Sequence, residues 1–201
     1  LAGEKNALTP STQAGHTLFF GAAGCSGCHS GPLLTDQKFH ALGLPPFGPG
    51  RTRRFDPMVR DVGRMGESDA LEDAYAFKTP MLRNVALTAP YGHNGAYPTL
   101  EGIVRHHLDP QRGFEAWTPD MAALPDVPWL AQVDFMVWQD NREMARQRAA
   151  ITIERNLMSD AGIDAIVAFL GALTGASASQ DKLGVPSSVP SGLPVDPRIL
   201  P

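Results

Sequence analysis

Cysteine is scarce in this 201-residue chain, and its two cysteines, Cys25 and Cys28, lie three positions apart. A long-range disulfide that would join distant segments is therefore excluded, and the pair needs a local explanation. Proline and glycine are the opposite case, with 18 and 20 residues. This composition predicts many loops around a few helices. The length suits one domain.

Long apolar runs and a strong charge of either sign are missing as well. No stretch of about 18 apolar residues occurs, so we expect no membrane insertion, and residues 1–9 do not have the pattern of a secretory signal. The net charge is -4, which excludes a broad basic field and makes nucleic acid an unexpected partner. The pattern favours a solvated loop for one arginine-rich stretch, which contains Arg51, Arg53, Arg54, Arg60 and Arg64.

Three segments have the pattern of short amphipathic helices with a capping residue. They are residues 10–20 with Ser11 as the candidate cap, a helix capped by Thr99 with Leu100, Ile103, Val104 and His107 on one face, and a helix capped by Ser159 that Gly175 can terminate. Residues 128–157 predict one long or broken helix, and residues 32–66 predict an ordered loop. The fold class expected is therefore mainly α.

Cys25 to His29 form the C-x-x-C-H pattern of covalent haem c attachment. One short helical turn places both sulfurs along one porphyrin edge, and the imidazole that follows can bind the iron. A thioredoxin-like C-x-x-C would need a strand-to-helix context, and a zinc site would need two more ligands at matching spacing. Neither accompanies the motif, so we expect one haem c, held by Cys25, Cys28 and His29.

The sixth iron position decides what such a haem does, and the residues alone leave it open. His106 and His107 are neighbours on one helix and point about 100° apart, so at most one can reach the iron. His107 shares the apolar face, whereas His106 is expected to face solvent or a haem propionate. Met65 and Met81 are thioether alternatives, although a lone methionine is more often core filling. The pattern favours hydrogen-bonded loop positions for three other histidines, His16, His40 and His93.

Several motifs in the same order resemble the C-terminal haem domain of the bacterial di-haem cytochrome c peroxidase family, which includes the enzymes that mature methylamine dehydrogenase. The matching segments are residues 15–20, 39–45, 61–64 and 77–91, then His93, Gly95, Thr99 and Leu100, and finally residues 167–175. Separated motifs in a fixed order are more specific than C-x-x-C-H alone. The resemblance implies a cytochrome c-type haem domain.

The resemblance also implies site residues. The family's second axial ligand falls on His107, where relatives have methionine or tyrosine, so a bis-histidine iron would follow. Arg83 is expected to neutralise a haem propionate through a charge-assisted hydrogen bond. Carbonyl oxygens that match those of Thr88 and Pro90 hold a calcium ion between the two haem domains of the family. Two carbonyls fall short of the roughly 6–8 oxygens that calcium prefers, so a bound ion would need waters or another chain.

The expected organisation is a haem domain at residues 1–175, with an expanded segment at about 108–158, and a proline-rich extended tail at 176–201. Three tryptophans occupy the expanded segment, and packing of an extra helix is their favoured role: Trp117, Trp129 and Trp138. The chain contains one C-x-x-C-H motif, which is expected of a fragment, a processed chain or a subunit if the parent protein has two haems.

Three functions are compatible with this sequence. The first is the electron-relaying haem domain of a di-haem peroxidase, which would take electrons from a small donor protein and pass them to a second haem domain or subunit. The second is a stand-alone single-haem carrier, and the third is a five-coordinate haem that binds a gas or peroxide. Peroxidase activity is expected only when a second haem domain is present. Haem c maturation implies the periplasm.

Overall fold

A computed structural model of the chain describes residues 7–48, 50, 56, 60–124, 127–178 and 188–193, with the backbone alone at residues 130–132. Most of the tail predicted at 176–201 and three of the five clustered arginines, Arg51, Arg53 and Arg54, lie outside the described residues. Among the described residues, no helix combines the length and apolar character needed to cross a membrane.

The described fold is mainly helical, as predicted. Its helices are α1 (Pro10–Phe20), α2 (Met65–Ser68), α3 (Leu100–Leu108), α4 (Pro110–Ala116), α5 (Pro128–Asp134), α6 (Asn141–Ala149) and α7 (Asp160–Gly171). Two short strands, β1 (Phe39–His40) and β2 (Phe77–Lys78), pair antiparallel. Long connecting segments with 3₁₀ turns link these elements, which agrees with the high proline and glycine content.

Helices α1 and α7 cross at Gly15. A Cβ atom at this position would lie 1.8 Å from the carbonyl oxygen of Ala165, so only glycine permits the two backbones to approach this closely. The apolar faces of both helices meet α3 in one core, whose buried members include Phe19, Val104, Leu108, Ile163, Ile166, Phe169 and Leu170. This three-helix core supports the segment that carries the C-x-x-C-H motif.

The helix ends confirm two of the predicted caps and correct a third. The hydroxyls of Thr99 and Ser159 accept hydrogen bonds from the backbone N–H of the third residue of α3 and of α7. The cap of α1 is Thr9, not Ser11, because Pro10 is the first helical residue and Thr9 accepts from the N–H of Thr12. Helix α7 ends at Gly171, before the predicted terminator, Gly175.

The segment predicted as one long or broken helix is broken, and its last part is not helical. Helix α6 ends at Ala149, and residues 151–159 have no regular structure. Their backbone bonds to other parts of the chain instead: the N–H of Asn156 donates to the carbonyl of Leu108 at 2.7 Å. Long-range pairing has replaced the local helical bonds that the apolar spacing predicted.

The arginine-rich stretch is not simply a solvated loop. The guanidinium of Arg60 is only 14% exposed and donates to Asp56 and to the fully buried carboxylate of Glu143. Arg64 lies over the ring of Phe39, 4.3 Å from its centre. The solvated-loop prediction is therefore wrong for Arg60.

The three tryptophans of the expanded segment have different environments. Trp117 is 1% exposed and stacks on Phe47 in a second core, and Trp138 packs edge-on against it with ring centres 5.0 Å apart. Trp129 is 77% exposed, so the packing role predicted for it is wrong. Trp117, with the partly buried Trp138 against it, joins the expanded segment to the loop that contains Phe47.

Candidate haem site

The C-x-x-C-H motif forms a single tight turn. Gly24 adopts a left-handed conformation at φ 71°, and a 3₁₀ turn follows at Cys25–Gly27. The N–H of His29 donates to the carbonyl of Cys25 at 2.9 Å, which makes one helical turn between the first cysteine and the histidine. Both thiols are free and half-buried. The backbone therefore has the form that the motif predicts.

The ring of His29 interacts with two backbone carbonyls, that of Leu34 in the loop that follows and that of Pro80. Its Nδ1 donates to the carbonyl of Leu34 at 3.0 Å, and because a carbonyl oxygen only accepts, Nδ1 must carry the ring proton. Burial lowers the pKa of His29, which favours the neutral imidazole that binds metals. Nε2 is then the nitrogen available to an iron atom.

His107 is held in the same way from helix α3. Its Nδ1 donates to the carbonyl of Ile103 one turn earlier, at 2.8 Å, and burial lowers its pKa. The His29 and His107 ring centres are 6.4 Å apart, with the ring planes tilted by 51°. Two metal–nitrogen bonds of about 2.0 Å, and about 1.2 Å from each nitrogen to its ring centre, would place the centres about 6.4 Å apart.

Such a spacing also occurs between ordinary packed aromatic rings, which lie about 4.5–7 Å apart. What distinguishes this pair is that each ring uses Nδ1 on a backbone carbonyl and keeps Nε2 for a ligand bond. That is the arrangement in which proteins hold metal-binding histidines. The donor set fits a haem iron with two axial imidazoles.

Apolar side chains near the motif also suit a haem, because its macrocycle is flat and largely apolar. Four half-exposed apolar side chains flank Cys25, His29 and the predicted Arg83 in sequence: Phe20, Leu33, Met81 and Leu87. Buried and partly buried neighbours, among them Leu34, Leu82 and Val85, continue into the α1–α7 core. Covering such side chains with an apolar group stabilises the folded state.

His106 does not face solvent or a propionate, so that prediction is wrong. It is 1% exposed, its Nε2 donates to the carbonyl of Leu42 at 2.9 Å, and its Nδ1 accepts from the hydroxyl of Tyr97 at 2.8 Å. The reason is that α3 is buried on more than one side. His107 faces His29, and His106 faces the second core with Tyr97 and Trp117.

The other candidate ligands are packed, hydrogen-bonded or, for Met81, exposed. Met65 is buried in a separate cluster with Val62 and Tyr75, and Met81 is 53% exposed. Of the three histidines predicted at hydrogen-bonded loop positions, His93 lies in a loop and stacks on Phe77 with ring centres 3.5 Å apart. His40 lies in β1 and bonds to Asp36 at 2.7 Å. The prediction is wrong for His16, which lies in α1 and packs on Phe20 and Phe169. Of the candidate histidines, the described structure places His107 beside His29.

Arg83, Thr88 and Pro90 lie in one exposed segment between β2 and α3. The Thr88 hydroxyl donates to the carbonyl of Val85 at 2.9 Å, and the peptide between Ala89 and Pro90 is cis. A propionate contact for Arg83 and calcium binding by the two carbonyls stay predictions.

Sequence reasoning missed one group close to the motif. Cys28, Asp36 and His40 have polar atoms within 4.8 Å of one another. Asp36 accepts from the N–H of Lys38 and from His40, and these hydrogen bonds hold the pKa of its carboxyl well below its usual range. The only signal in the sequence is the spacing of four between Asp36 and His40, which is too common to identify such a pair.

Comparison with known proteins finds similar sequences among bacterial haem proteins, although no family model matches the chain. A segment of 118 residues, 57% of this chain and 24% of the relative, is 41% identical to the cytochrome c peroxidase Ccp of Escherichia coli. The methylamine utilization protein MauG of Methylorubrum extorquens is 35% identical over 107 residues, which is 53% of this chain and 27% of that protein. This chain is a homologue of the bacterial di-haem cytochrome c peroxidases.

Solved structures agree with the sequence matches to this peroxidase family. A MauG-like protein associated with microbial copper homeostasis superposes with a TM-score of 0.57 at 27% identity, over 85% of this chain and 48% of that protein. The di-haem peroxidase BthA of Burkholderia thailandensis gives a TM-score of 0.50 at 26% identity, over 84% of this chain and 43% of that protein. The chain therefore spans less than half the length of either protein, and the resemblance stated from the motifs is confirmed.

Proposed function

We propose that this chain binds one haem c through Cys25 and Cys28, with the iron between His29 and His107, and relays electrons as the haem domain of a di-haem cytochrome c peroxidase-like protein. The observation that carries the proposal is the pair of imidazoles 6.4 Å apart, each fixed through Nδ1 and each with Nε2 available. The homology to di-haem peroxidases supports haem as the group that they hold.

The chemistry that a bound haem supplies is the gain and loss of one electron at iron. The residues of this chain favour transfer over substrate chemistry. An iron held by both imidazoles would have no open position, and the Leu34 and Ile103 carbonyls keep both rings oriented. Because the thioether of a His/Met site is what raises the potential, a bis-histidine site is expected to have a lower one.

The proposed partners are a second haem domain or subunit, where peroxide would be reduced, and a small redox donor protein. The names of the relatives, di-haem peroxidases and MauG, favour this arrangement over a stand-alone carrier. Calcium held in part by the carbonyls of Thr88 and Pro90, and a propionate contact of Arg83, belong to the same proposal. Covalent haem attachment points to the periplasm as the location.

The test compares the low-temperature EPR and visible spectra of the oxidised, haem-loaded protein with those of His107→Ala. The wild type is expected to be low-spin, without the red-edge charge-transfer band of a methionine ligand, and His107→Ala is expected to be high-spin. Met81→Ala is the matched control, because it removes the rival thioether from an exposed position, and its iron should stay low-spin like that of the wild type. A high-spin wild type, or an unchanged His107→Ala spectrum, would refute the assignment.

A further inference from the structure

The residue next to the proposed haem ligand is one of the most enclosed in the described chain. His106 is 1% exposed, and both of its ring nitrogens are used: Nε2 donates to Leu42 at 2.9 Å and Nδ1 accepts from Tyr97 at 2.8 Å. The assignment of the ring proton follows from the carbonyl of Leu42, which only accepts.

These two bonds connect α3 to segments on both sides of it. Leu42 lies in the loop after β1, 64 residues away in sequence, and Tyr97 precedes α3. Helix α4 closes the third side, because a Cβ atom on Gly113 would lie 2.4 Å from Nδ1 of His106. The Tyr97 hydroxyl is also 3.5 Å from the carbonyl of Gly113.

We infer that Tyr97 and His106 position α3 so that His107 is held on the haem iron, and that they do so without touching the haem. The inference rests on the proposed function, since it takes His107 as the axial ligand. Neighbouring residues on a helix point about 100° apart. Fixing the direction of His106 therefore fixes the direction in which α3 presents His107.

The bonds of His106 should make His107 harder to displace from the iron. His107 can be displaced only if its own ring turns away from Ile103 or if α3 rotates or slides. Rotation of α3 breaks both bonds of His106 and leaves buried polar groups without partners, which is unfavourable. In a variant that lacks both bonds, the equilibrium constant for displacement of His107 should be about tenfold larger than in the wild type.

The experiment measures the apparent affinity of cyanide for the oxidised, haem-loaded chain, because cyanide can bind only after His107 has left. His106→Leu removes both bonds and should tighten cyanide binding about tenfold, and Tyr97→Phe removes one and should tighten it about threefold. His106→Gln has an amide donor and an oxygen acceptor at a similar reach, so it should restore most of the wild-type affinity.

Tyr75→Phe is the matched control. It also removes a buried tyrosine hydroxyl bond, the one to Glu143 at 2.7 Å, but Tyr75 belongs to a cluster that does not include α3. Its stability should fall while its cyanide affinity stays that of the wild type. Tyr97→Phe keeps the test available if His106→Leu does not fold.

Two results would overturn this inference and leave the proposed function intact. One is equal cyanide affinity in the wild type and Tyr97→Phe. The other is a cyanide affinity of Tyr75→Phe that rises as much as that of Tyr97→Phe, which would indicate a general loss of stability. A wild-type iron that is high-spin before cyanide is added would overturn the ligand assignment of His107, and this inference with it. The EPR spectrum recorded before the titration therefore separates failure of the proposed function from failure of the positioning role.

Discussion

Replacement of Glu143 by alanine should be among the most destabilising single changes in the chain. Glu143 is 0% exposed and accepts from the Tyr75 hydroxyl at 2.7 Å and from the guanidinium of Arg60. Removing one member of a buried charged network leaves the other members unpaired, which costs about 3–5 kcal/mol. Because Arg60 keeps Asp56 as a partner, we expect the lower end, about 3 kcal/mol.

The assay is urea unfolding of the haem-loaded protein, read as the change in midpoint at constant slope. In a thermal scan the same loss should lower Tm by about 6–12 °C for a domain of this size. Glu143→Gln keeps an acceptor for Tyr75 and should lose less. Glu115→Ala is the surface control, because Glu115 pairs with Arg148 at 2.8 Å with both side chains more than half exposed, and it should cost under about 1 kcal/mol.

The reasoning about burial would be refuted if Glu143→Ala lost no more stability than Glu115→Ala. It would then follow that Arg60 and Tyr75 find water or other partners when the carboxylate is gone. The predicted order of stability is wild type, Glu115→Ala, Glu143→Gln and Glu143→Ala. Only this order is consistent with a network that joins the arginine-rich segment to α6.

Three further predictions concern single positions. Gly15→Ala should cost about 1–3 kcal/mol in urea unfolding, because its methyl group would overlap Ala165, and a loss under about 0.5 kcal/mol would contradict the α1–α7 crossing. Burial lowers the pKa of His93 to about 4, whereas an unfolded histidine titrates near pH 6.5, so below that pH the unfolded chain binds more protons. His93 should therefore contribute up to about 3 kcal/mol of the stability lost between pH 6.5 and 4, and His93→Gln should remove that share of the pH dependence. Among the described side chains, Asn94 Oδ1 is buried without a donor beside a cavity of about 10 Å³, so a crystal structure should show one ordered water there, and an empty cavity would contradict this.

The local features of the fold could be predicted from sequence because they depend on neighbouring residues. The caps Thr99 and Ser159 each satisfy an N–H group within their own first turn, and the apolar spacing of α3 and α7 follows from one helical period. The cap of α1 was missed by two residues, because proline at the first helical position moves the cap to Thr9.

The predictions that were wrong concern residues whose hydrogen-bond partners lie far away in sequence. A helical wheel indicates that His106 points away from His107, but only the folded chain brings Leu42 to its other side. The apolar residues at 151 and 153 fit a helix, yet the N–H of Thr152 donates to the carbonyl of Ala41. No local pattern contains the partner in either case, so propensity alone favoured the wrong structure.

The two proposed axial ligands illustrate the same division within one site. The direction of each ring is set locally, by Leu34 five residues after His29 and by Ile103 four residues before His107. Their distance from each other is set by the packing of α1, α3 and α7 and by the bonds of His106. For that reason five consecutive residues are enough to identify C-x-x-C-H. The residues near His107 do not distinguish it from the two methionines as sixth ligand, and only the order of several distant motifs favours it. A change at Leu34 or Ile103 should alter the orientation of one ligand. A substitution at Tyr97 or His106 should instead alter how readily His107 is displaced.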